Sequence, residues 1–177
     1  GTFFATGKVG QSFDFNGTNY INFGTNAGNL GASDFTATMW VKTLSPLTAS
    51  CQLLGWETNS CPVFNYYWRV SLVALDSTTS YAAADILAGN FTQLTAVGNT
   101  DVEDGNWHHL AVVRKGTSCS VYRDGILEAA TSTAINVAVV TSVGVMEPIS
   151  TRAKTVAPSL FAGPPDLSPD LLLREVS

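Results

Sequence analysis

Residues 119–130 read CSVYRDGILEAA, in which two short strand-like runs flank Asp124-Gly125. A two-residue hairpin loop needs positive φ at both central positions, and Asp followed by Gly adopts that conformation readily. The sequence therefore predicts that residues 119–123 and 126–130 form two directly paired antiparallel strands.

Alternation of apolar and polar residues recurs along the chain and indicates further strands. Residues 35–41 alternate so that one face would carry Phe35, Ala37, Met39 and Val41, because successive side chains of a strand point to opposite faces. Residues 12–15 and 20–23 alternate around an Asn-Gly pair, which predicts a second hairpin. Further strands are predicted at 52–55, 67–75, 107–114 and 142–146. Strands at this spacing, with turn residues between them, are typical of an antiparallel sandwich or barrel.

The composition limits the possible classes of protein. The chain has 177 residues, 45% of them hydrophobic and 13% charged, and its net charge is −5. This length predicts a single domain over residues 1–177. An acidic chain without a basic run is a poor partner for nucleic acid or anionic membrane surfaces. Its apolar runs are far shorter than the roughly 20 residues of a membrane-spanning helix, so no membrane insertion is expected.

Three segments of the chain carry a family resemblance. They are GKVGQSFDFNGTNYI at residues 7–21, FTATMWVK at 35–42, and the pair DGNWHHLAVV and VYRDG at 104–113 and 121–125. In this order they resemble the laminin-G-like domains, a group of the concanavalin A-like lectin and glucanase jelly rolls. The resemblance implies an all-β, concanavalin A-like jelly-roll sandwich of two antiparallel sheets.

The end of the chain predicts one short C-terminal helix. Ser168 suits the N-cap, Pro169 the first helical position, and Asp170 the first turn, where an acid is favoured. A last strand over residues 171–176 is the alternative.

The three cysteines allow one disulfide. Cys51 and Cys61 are ten residues apart around turn-forming residues, a spacing that suits a bridge across a hairpin, and Cys119 is left over. Such a bridge would indicate an oxidising compartment. Three buried reduced thiols are the alternative interpretation.

The resemblance also implies a possible Ca²⁺ site, because members of this family often hold one ion beside the first hairpin and the last strand. The matching positions are Asn16, Asn19 and Asp166, whose oxygens suit that ion. The two asparagines suit turn formation equally well.

No residue of the chain is predicted to be catalytic. His108 and His109 are adjacent on a predicted strand, so their side chains point to opposite faces and cannot chelate one ion together. Glycoside hydrolysis needs two carboxylates roughly 5–9.5 Å apart. The nearest approach to such a pair is Asp101, Glu103 and Asp104, which lie before Gly105 in a predicted loop where acids are normally solvated.

Aromatic residues give the better functional prediction. Sugar recognition commonly uses a flat apolar ring together with a few polar groups for the hydroxyls. Rings and amides of this kind are concentrated in one short segment and form the predicted ligand-binding set: Trp56, Asn59, Asn65, Tyr66 and Trp68. The alternative is that the rings pack into the sandwich; Tyr67 and Trp68 point to opposite faces, so one of them is expected in the core.

The predicted function is a non-enzymatic recognition module at the outside of a cell or particle, binding a glycan or a surface protein. This prediction depends on the analogy of fold, and one fold serves many functions. A structural domain that forms homo-oligomers or a larger assembly in a surface layer, filament or virion is one alternative. A glycoside hydrolase or polysaccharide lyase on the same fold is the other.

Overall fold

A computed structural model describes thirteen strands. The described residues are 3–15, 19–23, 30, 33–43, 47, 49–58, 67–76, 78–87, 93–132, 144–145, 153–155 and 159–162. Within these ranges the chain is strand, turn and loop, and it contains no helix capable of crossing a membrane.

The strands form two antiparallel sheets. The larger sheet consists of β1 (Phe3–Thr6), β2 (Gln11–Asp14), β3 (Phe35–Thr43), β8 (His108–Lys115), β9 (Ser118–Arg123), β10 (Ile126–Ser132), β12 (Ala153–Thr155) and β13 (Ser159–Ala162). Its order is β1-β2-β12-β3-β8-β9-β10, and β13 pairs with β3 as well. The smaller sheet, ordered β11-β4-β5-β6-β7, consists of β4 (Cys51–Thr58), β5 (Tyr67–Ala74), β6 (Ser80–Leu87), β7 (Gln93–Asp101) and β11 (Gly144–Val145). The all-β sandwich of two antiparallel sheets is confirmed.

The core lies between the two sheets and follows the predicted alternation. The apolar face of β3 is buried as predicted, with Phe35, Ala37, Met39 and Val41 all in one hydrophobic cluster. The smaller sheet faces this cluster with side chains that alternate in the same way along its strands: Leu54, Trp56, Trp68, Val70, Leu72, Ala82, Ala84 and Ile86. Burial of these alternate positions is the main favourable term that holds the sheets together.

The Asp124-Gly125 hairpin is confirmed in detail. Asp124 has φ 51° and Gly125 φ 81°, so both loop residues are left-handed. Arg123 pairs directly with Ile126, as a two-residue loop requires. The backbone of Asp124 is also fixed by donating its N–H to the carbonyl of His109 at 2.8 Å.

Because a Cβ at Gly125 would meet no atom within 4 Å, substitution there tests backbone strain alone. We expect Gly125→Val to lower the free energy of unfolding by about 1–2 kcal/mol, since a β-branched residue disfavours positive φ. Gly125→Asn is the matched control and should cost clearly less, because Asn tolerates the left-handed region. Urea unfolding measures both variants, and equal stability of the two would contradict this account.

The predicted hairpin between residues 12–15 and 20–23 is wrong. Strand β2 pairs instead with the preceding β1, from Phe3 opposite Asp14 to Thr6 opposite Gln11. The turn between them is closed by Gly7, whose N–H donates to the carbonyl of Gly10 at 2.9 Å, and Gly10 has φ 57°. The other edge of β2 pairs with β12, so residues 20–23, which are not a strand, have no free edge of β2 to join.

Some strands were not predicted from the sequence, and one predicted element lies outside the described residues. Strands β6 and β7 were not predicted, and the alanine-rich sequence SYAAADIL of β6 has weak β propensity. The predicted C-terminal helix, residues 168–176, lies outside the described residues. The single domain over residues 1–177 stays a prediction.

Candidate functional site

Two of the predicted ligand-binding residues are core residues. Trp56 is 0% exposed and Trp68 is 1% exposed, and they lie directly opposite each other on β4 and β5. The Trp68 ring packs against Phe35 of the larger sheet with ring centroids 5.2 Å apart. The prediction that these two indoles offer their faces to a sugar is therefore wrong, because both rings fill the space between the sheets. Trp56 also belongs to strand β4, which extends beyond the predicted strand at 52–55.

The remaining predicted site residues fall mostly outside the described part of the chain. Asn59, Asn65 and Tyr66 lie there, as does Cys61, while Cys51 is buried at the start of β4. Binding by the first three, and the disulfide between Cys51 and Cys61, stay predictions. The leftover Cys119 is fully buried in the core, and this burial raises the pKa of its thiol to about 12.

The predicted Ca²⁺ site also stays a prediction. Asn16 and Asp166 lie outside the described residues, and the described member, Asn19, donates its side-chain amide to the carbonyl of Asp14 at 2.9 Å. Among the described residues, no group of three or more His, Cys, Asp or Glu side chains could hold a metal ion.

The outward surface of the smaller sheet carries the polar and aromatic side chains that a ligand site needs. Cross-strand register places Tyr67 beside Leu87 and Gln93 in one row, and Arg69 beside Asp85 and Thr95 in the next. We call this set of Tyr67, Arg69, Asp85, Gln93 and Thr95 the Tyr67–Arg69 face. Its residues Tyr67 and Arg69 lie on the same strand as the predicted Trp68, but on the opposite side of the sheet.

The side chains of the Tyr67–Arg69 face are held by one another. The Arg69 guanidinium carbon lies 3.9 Å from the centre of the Tyr67 ring, which gives a stacked cation–π pair. Asp85 Oδ1 accepts hydrogen bonds from Thr95 Oγ1 at 2.7 Å and from Gln93 Nε2 at 3.4 Å. These contacts fix the positions of the side chains. The stacked Tyr67 and Arg69 form a flat cationic and aromatic surface on β5, and the oriented Asp85 carboxylate lies on the next strand, β6.

Small residues lie beside this stack. Gly55 is the neighbour of Arg69 on β4, and in the next row Ser71 and Ala83 lie side by side. A Cβ at Gly55 would come within 2.5 Å of Gln52 Nε2 and 2.7 Å of the carbonyl oxygen of Trp68. The side chain of Gln52 therefore lies over a position where only glycine fits. Its Nε2 is buried without a hydrogen-bond partner in the described structure.

The predicted acids at the β7–β8 loop are occupied by structural hydrogen bonds. Asp101 Oδ1 accepts the backbone N–H groups of Ser80 and Glu103, both at 3.0 Å. Glu103 Oε1 accepts the Ser80 hydroxyl at 2.7 Å and the N–H of Leu47 at 2.8 Å. These hydrogen bonds hold the loop against neighbouring segments. In a glycoside hydrolase, two carboxylates would instead face one substrate bond across a groove.

The third acid of that loop, Asp104, belongs to an ionic cluster around His108. The imidazole lies 2.9 Å from Asp104 Oδ1 through Nε2 and 2.8 Å from Asp124 Oδ2 through Nδ1. Hydrogen bonds, first from Asn106 and then from His108, lower the pKa of Asp104 to about 2. His109 instead packs on Trp40 with ring centroids 5.2 Å apart. The two histidines thus have separate structural surroundings, as their opposite strand faces predict.

The predicted ligand-binding set includes Trp68 but neither of its neighbours on the strand, Tyr67 and Arg69. The segment alternates Tyr67, Arg69 and Ser71 with Trp68, Val70 and Leu72. Because the second set is entirely apolar, the alternation itself places Trp68 in the core and Tyr67 outside. The partners Asp85 and Thr95 could not be found in this way, because they lie on β6 and β7.

The fold is shared with solved structures of low sequence identity. The binding domain of Paraclostridial Mosquitocidal Protein 1 matches with a TM-score of 0.74 at 12% identity, over 97% of this chain and 44% of that one. The chain thus spans less than half the length of that structure. Domain 4 of the arabinanase AbnA from Geobacillus stearothermophilus, in complex with arabinotriose, has a TM-score of 0.63 at 18% identity, over 96% of this chain and 78% of that one.

A third similar structure is also a glycan complex. The CBM40 domain of the Ruminococcus gnavus IT-sialidase, bound to alpha2,3 sialyllactose, has a TM-score of 0.69 at 14% identity and covers 91% of this chain and 94% of that one. A search of curated proteins gave no match.

The family model described as the concanavalin A-like lectin/glucanases superfamily (Laminin_G_3) matches residues 15–145. The match includes two of the three quoted motifs in full and the end of the first, together with strands β3 to β11. The chain therefore belongs to the concanavalin A-like lectin/glucanases superfamily, within its laminin-G-like group.

Proposed function

We propose that this protein is a non-enzymatic glycan-binding module that holds a saccharide against the Tyr67–Arg69 face. The observation that carries the proposal is the Asp85 carboxylate, oriented by Thr95 and Gln93 beside the stacked Tyr67 and Arg69 side chains. A carboxylate accepts hydrogen bonds from pairs of sugar hydroxyls, and a flat stacked surface contacts the apolar face of the ring. The glycan complexes among the similar structures support the same class of ligand.

The proposal extends to where the protein works. A module that recognises glycans meets them at the outside of a cell or particle, and we infer that location here. The hydrogen bonds that occupy Asp101 and Glu103 support binding rather than hydrolysis.

The test is a binding measurement with defined saccharides. Arabinotriose and alpha2,3 sialyllactose, the ligands of two similar structures, are the first probes, followed by an array of neutral and acidic glycans. We expect Asp85→Ala and Tyr67→Ala each to weaken binding of a recognised glycan by about tenfold or more, because each removes a charge-assisted hydrogen bond or a ring contact.

A matched control is Tyr81→Ala. Tyr81 is a half-buried tyrosine of β6 that pairs with Val73, four positions along the strand from Asp85. It should leave glycan affinity unchanged within about twofold, since four residues span roughly 13 Å along a strand. Equal weakening by all three variants, or silence across the whole array, would overturn the proposal.

A further inference from the structure

An exposed apolar side chain lies at the border of the Tyr67–Arg69 face. Among the described residues in the strands of the smaller sheet, Val97 is the one large apolar side chain that is exposed, and its exposed fraction is 40%. It belongs to β7, along which exposed and buried side chains alternate. The exposed positions before it, Gln93 and Thr95, are the residues that donate hydrogen bonds to Asp85. Val97 therefore extends the same row of accessible side chains by one position.

Cross-strand register places Val97 close to the Asp85 carboxylate. Asp85 pairs with Thr95, and the preceding outward residue of β6, Ala83, pairs with Val97. Val97 is thus the diagonal neighbour of Asp85, and such positions of an antiparallel pair are roughly 7–8 Å apart. Ala83 itself is 0% exposed, so a ligand at this border meets the side chain of Val97 and not that of the alanine. A carboxylate and an apolar group are therefore presented side by side, within reach of one sugar ring.

The strand that carries Val97 is held in place by the other sheet. Glu128 of β10 accepts the backbone N–H of Asn99 through Oε2 at 3.0 Å, and its Oε1 accepts a hydrogen bond from Arg123 Nε at 3.4 Å. The side chain of Glu128 is only 4% exposed, and it lies against Gly98, where an added Cβ would come within 3.3 Å of Oε2. Strand β7 is at the edge of its sheet. Val97 nevertheless has a fixed position, because the two residues that follow it are held by Glu128.

We propose that Val97 determines the specificity of the Tyr67–Arg69 face, and that this face selects saccharides that carry a methyl group. The inference rests on the proposed function and names the class of its ligand. Asp85 accepts hydrogen bonds from ring hydroxyls, while the methyl group of the sugar is removed from water against Val97. A 6-deoxyhexose presents this methyl as C6, and an N-acetylated sugar presents it on the acetamido group. A hydroxyl in place of the methyl hydrogen would lose its contact with water against an apolar side chain that offers no replacement.

The experiment compares pairs of sugars that differ at the methyl group. L-Fucose and L-galactose differ only in the C6 hydroxyl, as do L-rhamnose and L-mannose, while N-acetyl- and N-formyl-D-glucosamine differ only in the acetamido methyl. NMR titration measures the dissociation constant of each sugar. We expect the methyl-bearing member of at least one pair to bind about fourfold more tightly, because burial of one methyl group contributes about this factor. The pair that shows the preference identifies which kind of methyl group is recognised.

The test variant is Val97→Thr. Threonine keeps the β-branched shape of valine and suits a strand, but it replaces one methyl group by a hydroxyl. The preference within the recognised pair should fall below about twofold, because the apolar contact is lost. Val9→Thr is the matched control, since Val9 is also a surface valine, 62% exposed, in the β1–β2 turn of the larger sheet. It should keep the full preference. Asp85→Ala should weaken binding of both members of the pair.

The possible results separate this inference from the proposed function. If Asp85→Ala abolishes saccharide binding but both members of every pair bind equally well, the selectivity for methyl groups is wrong and the glycan-binding function stands. An unchanged preference in Val97→Thr, an equal loss in Val9→Thr, or recognition confined to glycans without a methyl group would also overturn the inference. Silence toward every sugar and the whole glycan array would overturn both.

Discussion

Replacing Trp68 by alanine is expected to lower the free energy of unfolding by about 3–5 kcal/mol, which is the usual cost of removing a buried aromatic ring. Trp68 is 1% exposed and is surrounded on three sides, by Trp56 on β4, Ile86 on β6 and Phe35 of the opposite sheet. Alanine leaves a cavity that these neighbours cannot close, because they belong to paired strands. The loss is a large fraction of the roughly 5–15 kcal/mol that stabilises a typical domain.

Urea unfolding followed by circular dichroism measures this effect. Tyr67→Ala is the control, because Tyr67 is the adjacent residue on the same strand but lies on the outward side of the sheet. It should cost less than about 1.5 kcal/mol. If Trp68→Ala were as stable as Tyr67→Ala, the indole would not be a core residue and the original prediction of a ligand-binding Trp68 would be restored. Trp68→Phe should recover part of the loss.

Local alternation explains which parts of the fold could be predicted. Along β3 the side chains of Phe35, Ala37 and Met39 alternate strictly with polar residues, and this strand and its buried face were predicted correctly. The β9–β10 hairpin was predicted because Asp124-Gly125 has one strongly favoured conformation. Both signals are local in sequence, so alternation and turn geometry were sufficient to find them.

Pairing between distant segments could not be predicted. Strand β12 lies between β2 and β3, although about 110 residues separate it in sequence from its partner Lys42. No local pattern specifies such a neighbour, because register across a sheet depends on the assembled core. The error at residues 20–23 has the same origin, since a plausible local hairpin was displaced by the β1–β2 and β2–β12 pairings.

The Tyr67–Arg69 face depends on this long-range pairing. Asp85 meets Arg69 and Thr95 only through the pairing of β5, β6 and β7. The sequence therefore identified the segment that contains Tyr67 and Arg69, but not their partners on β6 and β7.

The ionic cluster at His108 gives the protein a characteristic dependence on pH. Both ring nitrogens lie within 2.9 Å of carboxylate oxygens, from Asp104 on the β7–β8 loop and Asp124 on the β9–β10 turn. An imidazole can donate from both nitrogens only when it is protonated. The other charges here are Arg123, whose Nη1 lies 3.2 Å from His108 Nδ1 and 3.1 Å from Asp124 Oδ2, and Glu128, which accepts from Arg123 Nε at 3.4 Å.

The carboxylates of Asp104 and Asp124 determine whether the free energy of unfolding rises or falls with pH. Burial alone would lower the pKa of His108, but the hydrogen bonds to Asp124 and Asp104 outweigh it and raise the pKa above 6.5. A histidine with a raised folded-state pKa stabilises the fold fully below its unfolded pKa, and this stability is lost as the pH rises through the folded pKa. We therefore expect the free energy of unfolding to fall as the pH rises above 6.5.

The pH window from 6.5 to about 8.5 isolates this group. Burial lowers the pKa of His109, so that residue changes stability with the opposite sign, and its contribution is almost complete within about one pH unit above 6.5. The thiol of Cys119, with its pKa raised to about 12 from 9.0, acts only at higher pH. Urea unfolding at several pH values within the window should show a downward slope for the wild-type protein and a flatter one for His108→Asn.

The matched variant for this prediction is Asp124→Asn. Asparagine tolerates the φ of 51° at this position, and its side-chain oxygen can still accept the N–H of His109, which Asp124 Oδ1 accepts at 2.8 Å. It removes one of the two carboxylate charges that His108 faces while keeping the turn, so the slope above pH 6.5 should shrink without loss of the hairpin. A wild-type slope that persists in both His108→Asn and Asp124→Asn would place the titrating group elsewhere. Retention of the slope in Asp124→Asn alone would assign the raised pKa of His108 to Asp104, on the other side of the ring.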